Sequence, residues 1–496
     1  MIQMGRVVAR NAAAGMASQV AIKVLSFTFT VLVIRRLGVE TYGQYAAVSA
    51  FGALFVSFAD LGLSTYTVRE VARLRDRADG PERVRTLLAD VLLLRLILAT
   101  MAASMIILTG WLTGRPPAMM LGLALGAIGL LIYGAQGAFE AVLAGSERLD
   151  WLAGARVLQQ LTFVVLGSVV LLLGLGYHSL ILANIAGILV LAAVTVRGAR
   201  RLGLRVGTPV TAHWLPLLRA AIPFGLIALT LGLSYKFDTV LLNLFHGDAA
   251  TGIYSAAYTL IFSVAAISNV INTALFPTLS RQSMLNPGAL PAVYGRSLKL
   301  LMIIALPIAV GGWAVTPQLV GALLGAQYAA SAQVLRVIIW VVPFMFASEF
   351  LGYVVVIAGH EKRVARAIII SSSANVLGNL LLIPRFGLPA AAIMTVLTEV
   401  VLVSQYVWML RPELRAMRAL DALLRPLAAA AVMGVVCLLL LPRLPLFATI
   451  GLSAVTYAAG LLLTGAVGAS DWAGLRAIAG RPVAVVHDQP TAAPAD

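Results

Sequence analysis

The sequence predicts an all-α polytopic membrane protein with fourteen transmembrane helices, and three observations predict it. Charged residues fill only 11% of the 496 positions, 60% are hydrophobic, and the mean hydropathy is +0.96. A water-soluble domain carries about 25% charge, so this chain has too little polar surface to fold in water. Apolar runs of about twenty residues, the length that crosses a bilayer, recur along the whole chain. Finally, "RRLGVETYGQYAA" (from Arg35) returns as "LFHGDAATGIYSAA" (from Leu244), with Gly38 and Gly247 lying 209 positions apart (247 less 38).

The spans follow in order, each closed by a polar or turn-forming stretch. The first, about Gly15–Ile34, ends at the Arg35–Arg36–Leu37–Gly38 turn, and Gly43–Tyr66 runs to an arginine-rich loop. Leu87–Thr109 stops before Arg115 and two prolines, Ala118–Ala141 before Ser146–Asp150, and Trp151–Leu175 at Gly176. Leu180–Val196 runs into a second arginine-rich stretch, after which come Ala220–Leu244 and Gly252–Leu275. The remainder are Leu298–Val315, Val334–Ala358, Ala365–Ile383, Ala390–Leu410, the short Leu427–Leu441 and Leu446–Leu463. The opening MIQMGRVVARNAAAG leads into a full span without a small-residue cleavage site, so no removable signal peptide is expected.

With this span count the basic residues collect on one side. They run from Arg6 and Arg10 through Arg69–Arg85, Arg148–Arg219, Arg281–Lys299 and Lys362–Arg366 to Arg411–Arg425, Arg476 and Arg481. The opposite side holds Arg35, Arg36, Arg115, Arg385, Arg443 and, at its margin, Arg336. Basic residues near span ends stay cytoplasmic, so both termini are expected to face the cytosol. The formal charge of +16 is therefore topological, with a secondary affinity for anionic lipid, and does not mark a nucleic-acid partner. Cys437 is the single cysteine, so no intrachain disulfide can form. After Leu463, Trp472, Leu475 and Ile478 fall on one face of a short interfacial helix or frayed tail, and the last residues read as disordered.

The repeat extends beyond its hairpin. "LAGSER" (Leu143–Arg148) matches "IAGHEK" (Ile357–Lys362), and Gly176 at the start of span six matches Gly387 at span twelve. Spans one to six thus pair with seven to twelve as a parallel repeat, because six is even and both units enter the bilayer from the same side. The expected organisation is a first lobe over 1–205, a second over 206–412, two extra helices over 413–466, and a cytoplasmic tail over 467–496. Locally, Gly-x4-Gly-x-Tyr reads as a tight helical hairpin, its glycines supplying turn angles and its tyrosine sitting at the membrane interface.

"RRLGVETYGQYAA", "FADLGLSTYTVREVAR", "AIPFGLIALTLGLSYKFDTVLL" and "GIYSAAYTL" together resemble the polysaccharide-transporter branch of the multidrug/oligosaccharidyl-lipid/polysaccharide exporter superfamily, with Wzx-type flippases nearest and lipid II flippases as cousins. The resemblance covers about Gly5–Leu410. It implies two six-helix lobes in a V around a central cavity. There a polyprenyl-diphosphate-linked oligosaccharide passes from the cytoplasmic to the outer leaflet of the inner membrane, by alternating access driven by an ion gradient or potential. Polysaccharide polymerase or glycosyltransferase machinery would be its partners besides the lipid bilayer.

Charged residues inside spans are costly and mark candidate sites. Lys23 and Lys236 occupy corresponding helices of the two lobes and are the first candidates for a diphosphate headgroup, which needs cationic partners in a low-dielectric passage; the alternative is an ion pair of Lys236 with Asp238 or Asp60. Arg95 either reaches the cavity or snorkels to the surface. Arg69 either meets phosphate at the cytoplasmic mouth or pairs with Glu70 as a topological anchor. Lipid II flippases resembling this chain bind sodium through an Asp in helix seven, an Asn-x3-Asp pair in helix eleven and a Thr in helix twelve. The matching positions are Asp238, Asn375, Asn379 and Thr395, with Asn379 replacing the relatives' Asp. Glu399, one turn beyond Thr395, either compensates or carries a proton. Na+ or H+ is thus the expected coupling ion and no other cofactor is expected; the alternative is a hydrogen-bonded seam between helices. Asp60, Glu140 and Glu349 are further buried acids, Asp90 lies near a span end, and Asn184, Asn269, Asn272, Gln136 and Gln159 either touch sugar hydroxyls or bridge helices.

Five scattered histidines and no phosphate-binding loop leave no enzyme signature. The rival readings are a lipid II flippase, a drug–cation antiporter of the same superfamily, a membrane glycosyltransferase, and a non-transporting scaffold.

Overall fold

The computed structural model describes residues 22–285, 288, 290–417 and 419–467. The start of the first span, Arg6, Arg10, Arg418, Arg476, Arg481 and the tail around Trp472 lie outside the described residues. Those described form helices and turns with no strand. In order they are α1 (22–37), α2 (Val39–Asp60), α3 (Leu63–Leu74), α4 (Gly80–Leu112), α5 (Pro117–Gly145), α6 (Leu149–Leu172) and α7 (Gly176–Arg201). The second half holds α8 (Trp214–Leu285), α9 (Leu290–Leu324), α10 (Ser331–Ile338), α11 (Val341–Ile357), α12 (Glu361–Phe386), α13 (Leu388–Met409) and the short α14 (Arg411–Ala416). α15 (Ala419–Leu440) and α16 (Leu446–Leu463) close the described chain. Among the described residues 12 helices are long and apolar enough to cross a membrane, or up to 13 if α2 and α3, bent by 41°, count as one span.

The duplicated hairpin explains the first and the eighth helices together. Gly38 separates α1 from α2 with φ 77 and ψ 172, and Gly247 breaks α8 with φ 80 and ψ −171. Both copies therefore take the same conformation, one that a side chain rarely adopts. A single residue suffices for each turn, so spans seven and eight run together as α8, which also extends past their expected outer bounds at both ends. The other glycine pair has a different job from the turn-making expected of it. A Cβ on Gly43 would lie 1.8 Å from the Asp248 carbonyl oxygen, and one on Gly252 would lie 2.0 Å from that of Val39. Gly43 and Gly252 are thus the points where α2 and the far limb of α8 cross backbone to backbone, the use membrane helices make of small residues.

A second crossing lies at the opposite end of α2. Leu61 and Gly62 take positive φ at the bend into α3, and a Cβ on Gly62 would meet the Gly225 nitrogen at 2.4 Å. Between the halves, the linker is pinned to α4 by Asp90. Its buried carboxylate accepts from the Val210 amide (2.7 Å) and the Trp214 indole (3.1 Å), and lies 3.2 Å from His213 Nδ1. α15 packs on α9 and α16, and Tyr457 of α16 donates to the Ile303 carbonyl at 2.9 Å, so the last two helices attach through α9.

Candidate functional site

The second half of the chain gathers polar side chains around α8, α11, α12 and α13. Asp238, 2% exposed, accepts from the Tyr254 hydroxyl (2.5 Å) and from the Thr239 amide (2.6 Å). The same Tyr254 oxygen lies 3.0 Å from Thr395 Oγ1. One turn along α13, Thr398 accepts from Asn375 at 2.7 Å, and Asn375 in turn accepts from Asn379 at 3.0 Å. Asp238 and Thr395 thus share Tyr254, Asn379 reaches Thr398 through Asn375, and the two hydrogen-bonded groups lie one turn apart on the same face of α13. Asn379 Oδ1 is buried and has no hydrogen-bond partner among the described residues, an acceptor left open where satisfied groups are the rule.

A cavity of about 510 Å³ opens beside this network, lined by Asn375, Thr395, Thr398 and two further carboxylates. Glu399 accepts from Ser348 at 2.7 Å. Glu349 accepts from Ser268 at 2.5 Å and from Asn272 at 3.2 Å, so Asn272 bridges helices here. Tyr235, Tyr258 and Phe262 form an aromatic wall, with Tyr258 and Phe262 stacked at 4.1 Å. Among the described residues no Lys or Arg nitrogen lies within 4.0 Å of Asp238, Glu349 or Glu399.

The first half treats Asp60 and Glu140 differently. Arg95, 2% exposed, pairs with Asp60, and its remaining hydrogen bonds go to Ser64 (2.5 Å) and the Gly134 carbonyl (2.8 Å). This commits Arg95 to α2, α3 and α5, and it is buried and does not snorkel to the surface. Glu140 pairs with Arg156 and accepts from Gln136 at 3.0 Å. Glu70 bridges to Arg73 at 3.7 Å, and Arg69 is exposed and does not make the Glu70 pair that was one of its two expected roles. Lys23 is exposed on α1. Lys236 makes no ion pair with Asp238 or Asp60; its ammonium sits 5.7 Å from the centre of the Tyr258 ring, within cation–π range.

Tyr254 was visible in the sequence only as part of the hairpin signature, where an interfacial place was expected. It is fully buried instead, and a buried phenol needs a partner, which Asp238 supplies. The signal was the repeat itself. Tyr45, its counterpart 209 positions earlier (254 less 45), and Asn184, the counterpart of Thr395 211 positions earlier (395 less 184), both line a cavity of about 280 Å³ in the first half. At the position matching Asp238, 209 earlier (238 less 209), stands Phe29, buried against Phe163.

An apolar, duplicated helical bundle around an internal cavity defines the class, a polytopic helical membrane protein, and sequence profiles give the family. The sequence profile described as "Polysaccharide biosynthesis protein" matches residues 8–283, more than half of the chain, and the chain belongs to that family. A second profile, MatE, matches residues 223–381. Among characterised sequences, the "Probable low-salt glycan biosynthesis flippase Agl15" of Haloferax volcanii is 22% identical over 259 residues. That match spans about half of each chain, 52% of this one and 54% of the relative. Among solved structures, the lipid II flippase MurJ in an inward closed conformation superposes with a TM-score of 0.76 at 12% identity, covering 93% of this chain and 100% of its own. An inward-facing multidrug resistance MATE transporter gives 0.64 at 15% identity, covering 80% and 96%. Both similarities are of fold.

Proposed function

We propose that the protein is a flippase that carries a polyprenyl-diphosphate-linked oligosaccharide from the cytoplasmic to the outer leaflet for cell-surface polysaccharide synthesis. It sits in the inner membrane with both termini cytoplasmic. Its two six-helix lobes form a V and rock about the cavity between them while the lipid tail stays in the bilayer. The family and the glycan-flippase relative support the cargo class. Lys23 and Lys236, neither within 4.0 Å of a carboxylate among the described residues, and exposed Arg69 serve as the cationic partners of the diphosphate, while Arg95 is occupied by Asp60.

The observation that carries the coupling mechanism is the contrast between the halves. In the first half Asp60 and Glu140 are neutralised by arginine, whereas among the described residues Asp238, Glu349 and Glu399 are held by neutral donors. A buried carboxylate such as Asp238 needs a cation or a proton to balance it, and half-buried Glu349 and Glu399 face the same demand in part. Asp238, Asn375, Asn379 and Thr395 offer only carboxylate, amide and hydroxyl oxygens to a cation, the donor set that hard cations take, and the open Asn379 acceptor fits such a ligand. Na+ is the coupling ion in this reading, with Glu399 as the site of proton balance if H+ replaces it. Binding of the ion and of the headgroup then bias opposite arrangements of the lobes.

The test is flipping of a fluorescent polyprenyl-diphosphate sugar in liposomes holding the purified chain. Lys23→Ala and Lys236→Ala are expected to slow transport at least tenfold each; wild-type rates in both would overturn the headgroup assignment. Tyr254→Phe and Asp238→Asn are expected to abolish its dependence on a sodium gradient, and unchanged dependence in both would remove the ion site.

A further inference from the structure

A groove of about 690 Å³ lies outside the network, between the start of α12 and the end of α13. Arg363 and Arg366 line one end, on neighbouring positions of the α12 face that Ile370 continues. Seven residues separate Arg363 from Ile370, about 10 Å along a helix. α13 runs antiparallel and supplies Val400 and Val401 beside Ile370 and Trp408 near the arginines, a register fixed by Gln405 of α13, whose amide donates to Ser371 at 3.0 Å. Both arginines are exposed, and neither has a carboxylate within 4.0 Å among the described residues; nearby Glu361 pairs with neither. Trp408 is 64% exposed and Ile370 49% exposed.

The groove is thus graded along its length, with two guanidiniums and an indole at the mouth and aliphatic side chains below. The mouth lies at the end of α12 and α13 that the arginine distribution marks as cytoplasmic. A free phosphate would be served by the mouth alone and gives no reason for the apolar floor. A neutral lipid gives no reason for two adjacent arginines, which suit phosphate oxygens bidentately. Tryptophan belongs at the headgroup level of a membrane, and basic pockets between membrane helices on the cytoplasmic side hold anionic headgroups. We infer that this groove is a binding site for one anionic glycerophospholipid, its phosphate on Arg363 and Arg366 and an acyl chain along Ile370, Val400 and Val401. The site stands apart from the proposed cargo route. It would make the outer face of α12 and α13, the helices that carry Asn375, Asn379 and Thr395, responsive to the charge of the surrounding leaflet.

The test uses the full chain in nanodiscs of phosphatidylcholine containing a fifth phosphatidylglycerol and a trace of polyprenyl phosphate, with retained lipid read by native mass spectrometry during stepwise delipidation. The wild type is expected to hold one phosphatidylglycerol against the bulk ratio. Arg363→Gln/Arg366→Gln is expected to lower that preference about tenfold or more, while Arg197→Gln, a basic residue elsewhere on the same expected side, leaves it intact. Surface Arg→Gln changes are expected to leave the thermal unfolding midpoint in detergent unchanged, which separates loss of the site from loss of fold. Equal preference in the double variant and the wild type would overturn the proposal. So would retention of only a polyprenyl-phosphate lipid, which would make the groove a cargo entrance, or a wild type that holds phosphatidylglycerol no better than phosphatidylcholine.

Discussion

Replacing Gly252 by alanine tests the crossing of α2 and α8 at its tightest point. The new Cβ would lie 2.0 Å from the Val39 carbonyl oxygen and 3.2 Å from the Gly43 nitrogen. A carbon needs roughly 3.3 Å from a carbonyl oxygen, so the two helices must separate by more than about 1 Å. Both obstacles are backbone, and no rotamer change relieves them. Overpacking of this kind costs about 1–3 kcal/mol, and the rigid neighbours place Gly252→Ala at the upper end, near 3 kcal/mol. Gly43→Ala meets the Asp248 carbonyl at 1.8 Å and should cost about as much. The double variant should not cost the sum, because one separation of the same helix pair relieves both clashes; a total of about 3–4 kcal/mol is expected. Thermal unfolding in detergent, followed by fluorescence-detected gel filtration for the four proteins, measures this cycle. Two single variants at the wild-type midpoint would refute the close crossing, and full additivity would refute the claim that one contact holds both glycines.

The buried pair in the first half should behave as a unit: Arg95→Ala strands Asp60 and is expected to cost about 3–5 kcal/mol, while Arg95→Met/Asp60→Leu recovers most of that loss in the same assay. Asp90→Ala removes the acceptor of the Val210 and Trp214 donors and should expose the linker, so limited trypsin digestion at Arg205 is expected to quicken at least fivefold with little change in the unfolding midpoint. Asn379→Asp adds a second carboxylate to the proposed cation site. About a tenfold tighter apparent affinity for sodium is expected, read as the sodium concentration that half-stabilises the protein against heat with potassium as control; identical salt responses would count against a cation there.

Much of this architecture is written in the apolar runs, because a helix in lipid must be long, apolar and closed on its own hydrogen bonds. The repeat likewise showed in Gly38 and Gly247, since a positive-φ turn leaves a glycine wherever it recurs. Other features depend on partners that a linear pattern does not name. Nothing beside Gly43 says that Asp248 lies against it, and nothing beside Arg95 says that Asp60, 35 residues away (95 less 60), takes its charge. The helix spacing of Asn375 and Asn379 put them on one face, but Tyr254 as the link from Asp238 to Thr395 required the helices to be assembled. The kink at Leu61 was hidden because Asp60–Gly62 interrupts the apolar residues too briefly to end a span, which read on to Tyr66 with an arginine-rich loop where α3 stands.

The two glycine contacts are reciprocal. Gly43 meets residue 248 and Gly252 meets residue 39, and the two glycines, like their two partners, lie 209 positions apart (252 less 43, 248 less 39). In oligomers such mutual contact, with each patch touching its own copy, is the mark of an isologous two-fold dimer. The chain thus has the contact geometry of a homodimer whose subunits have been joined end to end. A true homodimer must carry every charge twice, related by its axis. Fusion lifts that obligation, and one copy can keep a phenyl ring at residue 29 while the other places a carboxylate at residue 238.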